Sequence, residues 1–196
     1  IHMGKIRSDR RSKNCVWLVT GIVLLALLID QALKLYIATH FALGESREVT
    51  SWFWLCYVEN NGMAFGIEWF SKLALTLFRI VAVGLLAWYT HLLIHKYRAR
   101  TSYIAIVALI IAGALGNITD CIFYGKLFGY ADWMYGRVVD MFYFPLIHNS
   151  AGEVVFFRPV FNCADTYITC AVIVILLFFR KDMNSTLDEK QTKNEA

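Results

Sequence analysis

Two short blocks hold the residues best suited to chemistry: Gly136-Arg137-Val138-Val139-Asp140 and Phe161-Asn162-Cys163-Ala164-Asp165, the second running straight into an apolar stretch that ends near Phe179. An ionised carboxylate at the rim of a membrane segment is costly and usually persists for function. Two carboxylates held close in a low-dielectric site cannot both ionise easily, so one keeps its proton and the pair divides acid and base roles. That division suits peptide-bond hydrolysis. The ionised partner takes a proton from a water, the protonated partner polarises the scissile carbonyl, and the roles exchange as the amine leaves. The scheme requires no covalent intermediate, and neither a metal nor a cofactor is expected. Competing nucleophiles are weak: Ser46, Ser51, Ser71, Ser102 and Ser150 have no obvious partnered base, and no Gly-x-Ser-x-Gly elbow exists.

Four apolar runs position these groups: about Val16 to Ile37, Leu73 to Ile94, Tyr103 to Tyr124 and Phe161 to Phe179. The first rises roughly 33 Å, enough to cross a ~30 Å hydrocarbon core. Counted from one end of its run, each of Asp30, Asn117 and Asp165 lies about fourteen residues in, or roughly 21 Å across the bilayer. Asp30 with Lys34 is an i,i+4 pair, and Asn117 with Asp120 and Asn162 with Asp165 are i,i+3 pairs, so each helix offers a two-residue polar patch to a common centre. Such patches can also simply glue helices through hydrogen bonds. Arg79 could snorkel to the interface or face this acidic centre. His91 and His95, at the far end of their span, read as interfacial residues.

Composition agrees with a membrane protein: of 196 residues 58% are hydrophobic and 17% charged, too greasy for a soluble domain of this size. The formal charge of +4 gathers at span ends without the aromatic interleaving of a nucleic-acid surface, so no nucleic-acid partner is expected. Five cysteines without CxxC spacing read as buried thiols rather than a disulfide framework or metal site. Lys5, Arg7, Arg10, Arg11 and Lys13, the His95 to Arg100 link, and Arg180-Lys181 all fall on one side, which the positive-inside rule makes cytoplasmic. Both termini then lie in the cytoplasm, and the two long loops face outward. In the first, Glu48 to Thr50 and Trp52 to Val58 suggest strands. In the second, Val154 to Arg158 after an Asn149 to Gly152 turn suggests a small hairpin. The expected organisation is a cytoplasmic segment over 1–14, opening on a tag remnant, a four-helix transmembrane domain over 15–180, and a disordered cytoplasmic tail over 181–196.

The ordered blocks Asp30-Gln31-Ala32-Leu33-Lys34, Asn60-Asn61-Gly62-Met63-Ala64-Phe65, Gly116-Asn117-Ile118-Thr119-Asp120, Gly136 to Asp140 and Phe161 to Asp165 strongly resemble the lipoprotein signal peptidase family, also called signal peptidase II. The resemblance implies an all-α integral membrane protein of four transmembrane helices with a small extracytoplasmic β-sheet, or cradle, and a second loop acting as a mobile cover. It implies an intramembrane aspartyl endopeptidase of the bacterial inner membrane, active near the outer leaflet, that cleaves prolipoproteins before a diacylglyceryl-modified cysteine. By motif position Asp140 and Asp165 would be the catalytic dyad, with Asp30, Lys34, Asn60, Gly62, Asn117, Asp120, Asn162 and Ala164 shaping the site. Its partners would be those prolipoproteins and membrane lipid. One departure is Cys121, where the family usually has arginine; Arg137 is the candidate substitute cation. The segments Phe123 to Gly136 and Leu146 to Pro159 also look longer than the family's. The alternatives are a proton- or ion-coupled transporter, which would need polar residues continuing to the cytoplasmic face, and a non-enzymatic scaffold, which leaves Asp140 unexplained.

Overall fold

The computed structural model describes residues 2–61, 72–148, 154–156 and 159–192. Helix α1 (His2–His40) carries the first apolar run and extends back through the basic segment. Two strands follow, β1 (Ser46–Thr50) and β2 (Phe53–Asn60), then α2 (Lys72–His95) and α3 (Thr101–Thr119). A π-helical turn over Asp120–Tyr124 continues α3 into the short α4 (Gly125–Leu127). Beyond it come β3 (Val138–Tyr143), β4 (Ile147–His148) and β5 (Val154–Phe156), and finally α5 (Cys163–Phe178) and α6 (Arg180–Thr192).

Among the described residues three helical stretches, Asp9–His40, Lys72–His95 and Thr101–Leu127, are long and apolar enough to cross a membrane, and α5 with the start of α6, bent by 85°, makes a fourth when the pair is taken as one span. Half of the third span is buried against 11% of the first and 17% of the second, which makes α3 the central helix. Its packing depends on small residues. A Cβ on Gly113 would lie 2.4 Å from the Ala164 carbonyl oxygen, and one on Gly116 would lie 2.6 Å from Asp30 Oδ2. Glycine at both places lets α5 and α1 approach the α3 backbone.

Strands β1, β2 and β3 form an antiparallel sheet in that order, with Val58 opposite Asp140 and Asn60 opposite Val138. The first two match the expected strands; the third is an addition, because Val138 to Tyr143 carries an aspartate in mid-strand that masks its β-branched pattern. A cluster of Ile37, Phe41, Tyr57, Tyr124, Val139 and Met141 seats the sheet on the end of α1. The hairpin expected near Val154 forms, with Ile147 opposite Phe156; its turn lies outside the described residues. At the other end of the bundle Leu93, Tyr103, Ile104, Val107 and Ile175 make an apolar core.

Within the tail expected to be disordered over 181–196, the described residues are helical, in α6, as far as Thr192, and 193–196 lie outside the described residues. Arg100 holds Asp182 in an ion pair, and Tyr89 shares hydrogen bonds of 3.0 Å with Thr186 and with Tyr103.

Candidate active site

Lys34 sits at the centre, fully buried, and its ammonium reaches three acceptors: Asp30 Oδ2 at 2.9 Å, Asp120 Oδ2 at 2.8 Å and Asn117 Oδ1 at 2.9 Å. An ammonium has three N–H donors, so none is left over. The two carboxylates need more than one cation, and the backbone supplies the rest. Ala164 N donates to Asp30 Oδ1 at 2.9 Å and Val139 N to Asp120 Oδ2 at 3.3 Å. The first of these N–H groups belongs to the opening turn of α5, where a helix has unpaired donors and a positive dipole end.

Two asparagines carry this core to the candidate dyad. Asn117 accepts from Lys34 on Oδ1 and donates through Nδ2 to Asp165 Oδ1 at 2.8 Å. Asn162 donates to that same Asn117 Oδ1 at 3.1 Å and to Asp140 Oδ1 at 2.7 Å. Its own Oδ1 accepts the Asp165 N–H at 2.9 Å, which makes Asn162 the N-cap of α5. The i,i+3 spacing of Asn162 and Asp165 is therefore a capping relation, and it places Asp165 in the first helical turn. Asn60, from β2, donates to Asp140 Oδ2 at 3.1 Å. Asp140 is 2% exposed. Its carboxyl is pushed up to about 7, first by burial and then by the negative charge of Asp165, against the opposing pull of Asn60, Asn162 and Lys34.

Of the residues anticipated for the site, Asp30, Lys34, Asn60, Asn117, Asp120, Asp140, Asn162 and Asp165 join one network, and Ala164 joins through its backbone. Gly62 lies outside the described residues. Arg137 goes elsewhere: Nη1 pairs with Glu59 at 2.8 Å, the guanidinium lies over the Tyr130 ring, and the backbone N–H donates to Tyr130 Oη. The side chain beside Cys121 is Arg79, whose Nη1 donates to the thiol sulfur at 3.0 Å. A lone arginine inside an apolar span was the signal for it. Gln31 was not anticipated. Its amide donates to Asp120 Oδ1 at 2.9 Å and Asp30 Oδ2 at 3.1 Å, while Tyr124 Oη donates to its Oε1. Being next to Asp30, it read as an ordinary helix residue. The π-helical turn opens the end of α3 so that Cys121 O can accept Gly136 N at 2.8 Å, which brings the block leading to Asp140 against Asp120.

A family model, Signal peptidase (SPase) II, matches residues 22–180, a span that takes in every residue of the network. The chain belongs to the signal peptidase II family. A lipoprotein signal peptidase of Porphyromonas gingivalis is 41% identical over 91% of this chain and 89% of its own length. One of Amoebophilus asiaticus is 35% identical over 92% and 84%. Two solved structures, each described as a bacterial membrane enzyme, superpose with TM-scores of 0.62 at 26% and 28% identity, covering 85% and 84% of this chain and 90% and 93% of theirs. This signal peptidase II chain is thus a peptidase of a multi-pass bacterial membrane class. Its polar network ends short of the apolar core around Leu93, Ile104 and Ile175.

Proposed function

We propose that this chain is an intramembrane aspartyl endopeptidase that removes signal peptides from prolipoproteins, cutting before the diacylglyceryl-modified cysteine, with Asp140 and Asp165 as its dyad. The observation that carries the reading is the link between the two carboxylates: Asp165 Oδ1, Asn117, Asn162 and Asp140 Oδ1 form one chain of hydrogen bonds in the same buried network. Their environments divide the labour. Asp140 is buried on a strand and pushed up to about 7, so it is the member that keeps a proton near neutrality. Asp165 stands in the first turn of α5, where the helix dipole favours negative charge.

In the proposed reaction, Asp140 donates its proton toward the scissile carbonyl while Asp165 takes one from the attacking water. Asn117 holds Oδ1 of Asp165, which leaves Oδ2 to face that water. As the tetrahedral species collapses, Asp165 returns its proton to the leaving amine and Asp140 recovers its own. Asp30, Lys34 and Asp120 take no part in bond making; they fix Asn117 and the start of α5, and through them the angle between the carboxylates. The polar level lies near one membrane surface, where a lipid-anchored substrate presents its cleavage site while its acyl chains stay in the bilayer. With the basic ends of all four spans placed in the cytoplasm, that surface is the outer one.

The test is cleavage of a diacylated prolipoprotein peptide by the purified protein. Asp140→Asn and Asp165→Asn are each expected to lower turnover by at least ~10³-fold, in the upper range for loss of general acid–base catalysis, with folding intact. Asparagine variants that retain more than a tenth of the activity would end the assignment.

A further inference from the structure

At the end of the bundle opposite the acidic network, about 30 Å from Asp30 along α1 by helix rise, a cavity of about 540 Å³ is lined by Arg10, Arg11, Asn14, Cys15, Leu18 and Thr101. Its character changes with depth. Arg10, Arg11 and Asn14 stand where α1 leaves the apolar run, and Leu18 lies one to two turns further into it. Two nearby cations have partners: Lys13 pairs with Asp9 at 3.1 Å, and Arg100 with Asp182. Arg10 and Arg11 have no ion-pair partner among the described residues. Arg11 is nonetheless held in place, because its Nη2 donates to Ala99 O at 2.6 Å and Arg98 O at 3.3 Å. That arrangement leaves Nε and Nη1 for another acceptor, and its charge is not neutralised by carbonyl oxygens.

We propose that this cavity binds an anionic phospholipid, with the phosphodiester on Arg10 and Arg11 and the glycerol end of an acyl chain against Cys15 and Leu18. Charge complementarity selects the headgroup: a basic pocket between spans at the membrane surface is suited to acidic lipid, and guanidinium groups suit phosphate oxygens. Cys15 and Leu18 in the lining of this cavity of about 540 Å³ select lipid over a free anion, since apolar surface is covered by an acyl chain and not by a hydrated inorganic ion. Because Arg11 also grips the turn between α2 and α3, the bound lipid would tie that turn to α1.

The experiment uses the full chain in detergent and measures unfolding temperature and retained lipid by native mass spectrometry, with added phosphatidylglycerol, phosphatidylcholine or inorganic phosphate. Phosphatidylglycerol is expected to raise the unfolding temperature and stay bound, while phosphatidylcholine does neither. Arg10→Gln is expected to weaken phosphatidylglycerol binding roughly fivefold, the effect of one surface cation on acidic lipid. Without lipid its unfolding temperature should match that of the parent protein, which shows that the variant folds. Lys13→Gln, removing the same charge outside the cavity, should retain the parent's affinity. Equal losses in the two variants would show diffuse surface attraction and overturn the site. An equal effect of inorganic phosphate would make it a free-anion site and overturn the lipid, and unchanged binding by Arg10→Gln would overturn both.

Discussion

At the scale of single residues, Asp140 couples stability to pH in a definite direction. Its ordinary value is 3.8 and its value in the fold is about 7. A raised carboxyl contributes stability that is fully present below the unfolded value and lost as pH rises through the folded one. Between about pH 4 and pH 8 the parent protein should therefore lose on the order of 4 kcal/mol from this group, and Asp140→Asn should show a flatter curve; thermal unfolding across that range measures the difference. With Asp140 and Asp165 as the proposed dyad, the alkaline limb of the activity profile should fall near pH 7 as their shared proton is lost. Lys34 makes the complementary case. Lys34→Met leaves Asp30 and Asp120 buried without their cation, at a cost of about 3–5 kcal/mol, visible as a lower unfolding temperature. The aspartates and Lys34 were legible in the sequence because ionisable groups in apolar spans are rare, and Asn117 and Asn162 because each stands three residues before one of those aspartates. Gln31 and the Ala164 N–H were not, since a neutral side chain and a backbone donor carry no such mark.

At the scale of elements, the site depends on how closely α5 can approach α3. Gly113→Ala would bring a methyl group to 2.4 Å from the Ala164 carbonyl oxygen, with Ile168 Cγ1 at 2.8 Å. The expected cost is about 1–3 kcal/mol, with a larger loss of activity because Ala164 and Asp165 shift together. Gly84→Ala is the control. Its Cβ would meet nothing within 4 Å, so in a helix it should be neutral or stabilising by up to ~1 kcal/mol. A comparison of unfolding temperatures and turnover in the two variants separates close packing from simple helix propensity. The four spans were readable from run length alone, and β1 and β2 from their β-branched and aromatic residues. Strand β3 and the π-helical turn were not, because both are imposed by tertiary contacts: Asp140 lies opposite Val58, and Cys121 O is drawn to Gly136 N.

At the scale of the whole molecule, the basic start of α1, the link between α2 and α3 and the start of α6 gather at one end of the bundle, and the sheet is seated at the other end of α1. In a Cys170→Ala background, a membrane-impermeant thiol reagent applied to intact cells is expected to label Glu48→Cys, which is exposed on β1, and to spare Lys181→Cys until the cells are opened. The reverse pattern would invert the topology. One feature of the buried network bears on how the protein is made. Asp30 and Lys34 lie on the first span, Asn117 and Asp120 on the third, and the Ala164 N–H on the last. A ribosome delivers these in that order, so the ion pairs of Lys34 are complete with the third span, while the second carboxylate oxygen of Asp30 gains its backbone donor only after the final helix has entered the bilayer. That final helix also brings Asp165. With Asp165 as one half of the proposed dyad, proteolytic competence arrives only with this helix, and a half-inserted chain is unable to cut its neighbours.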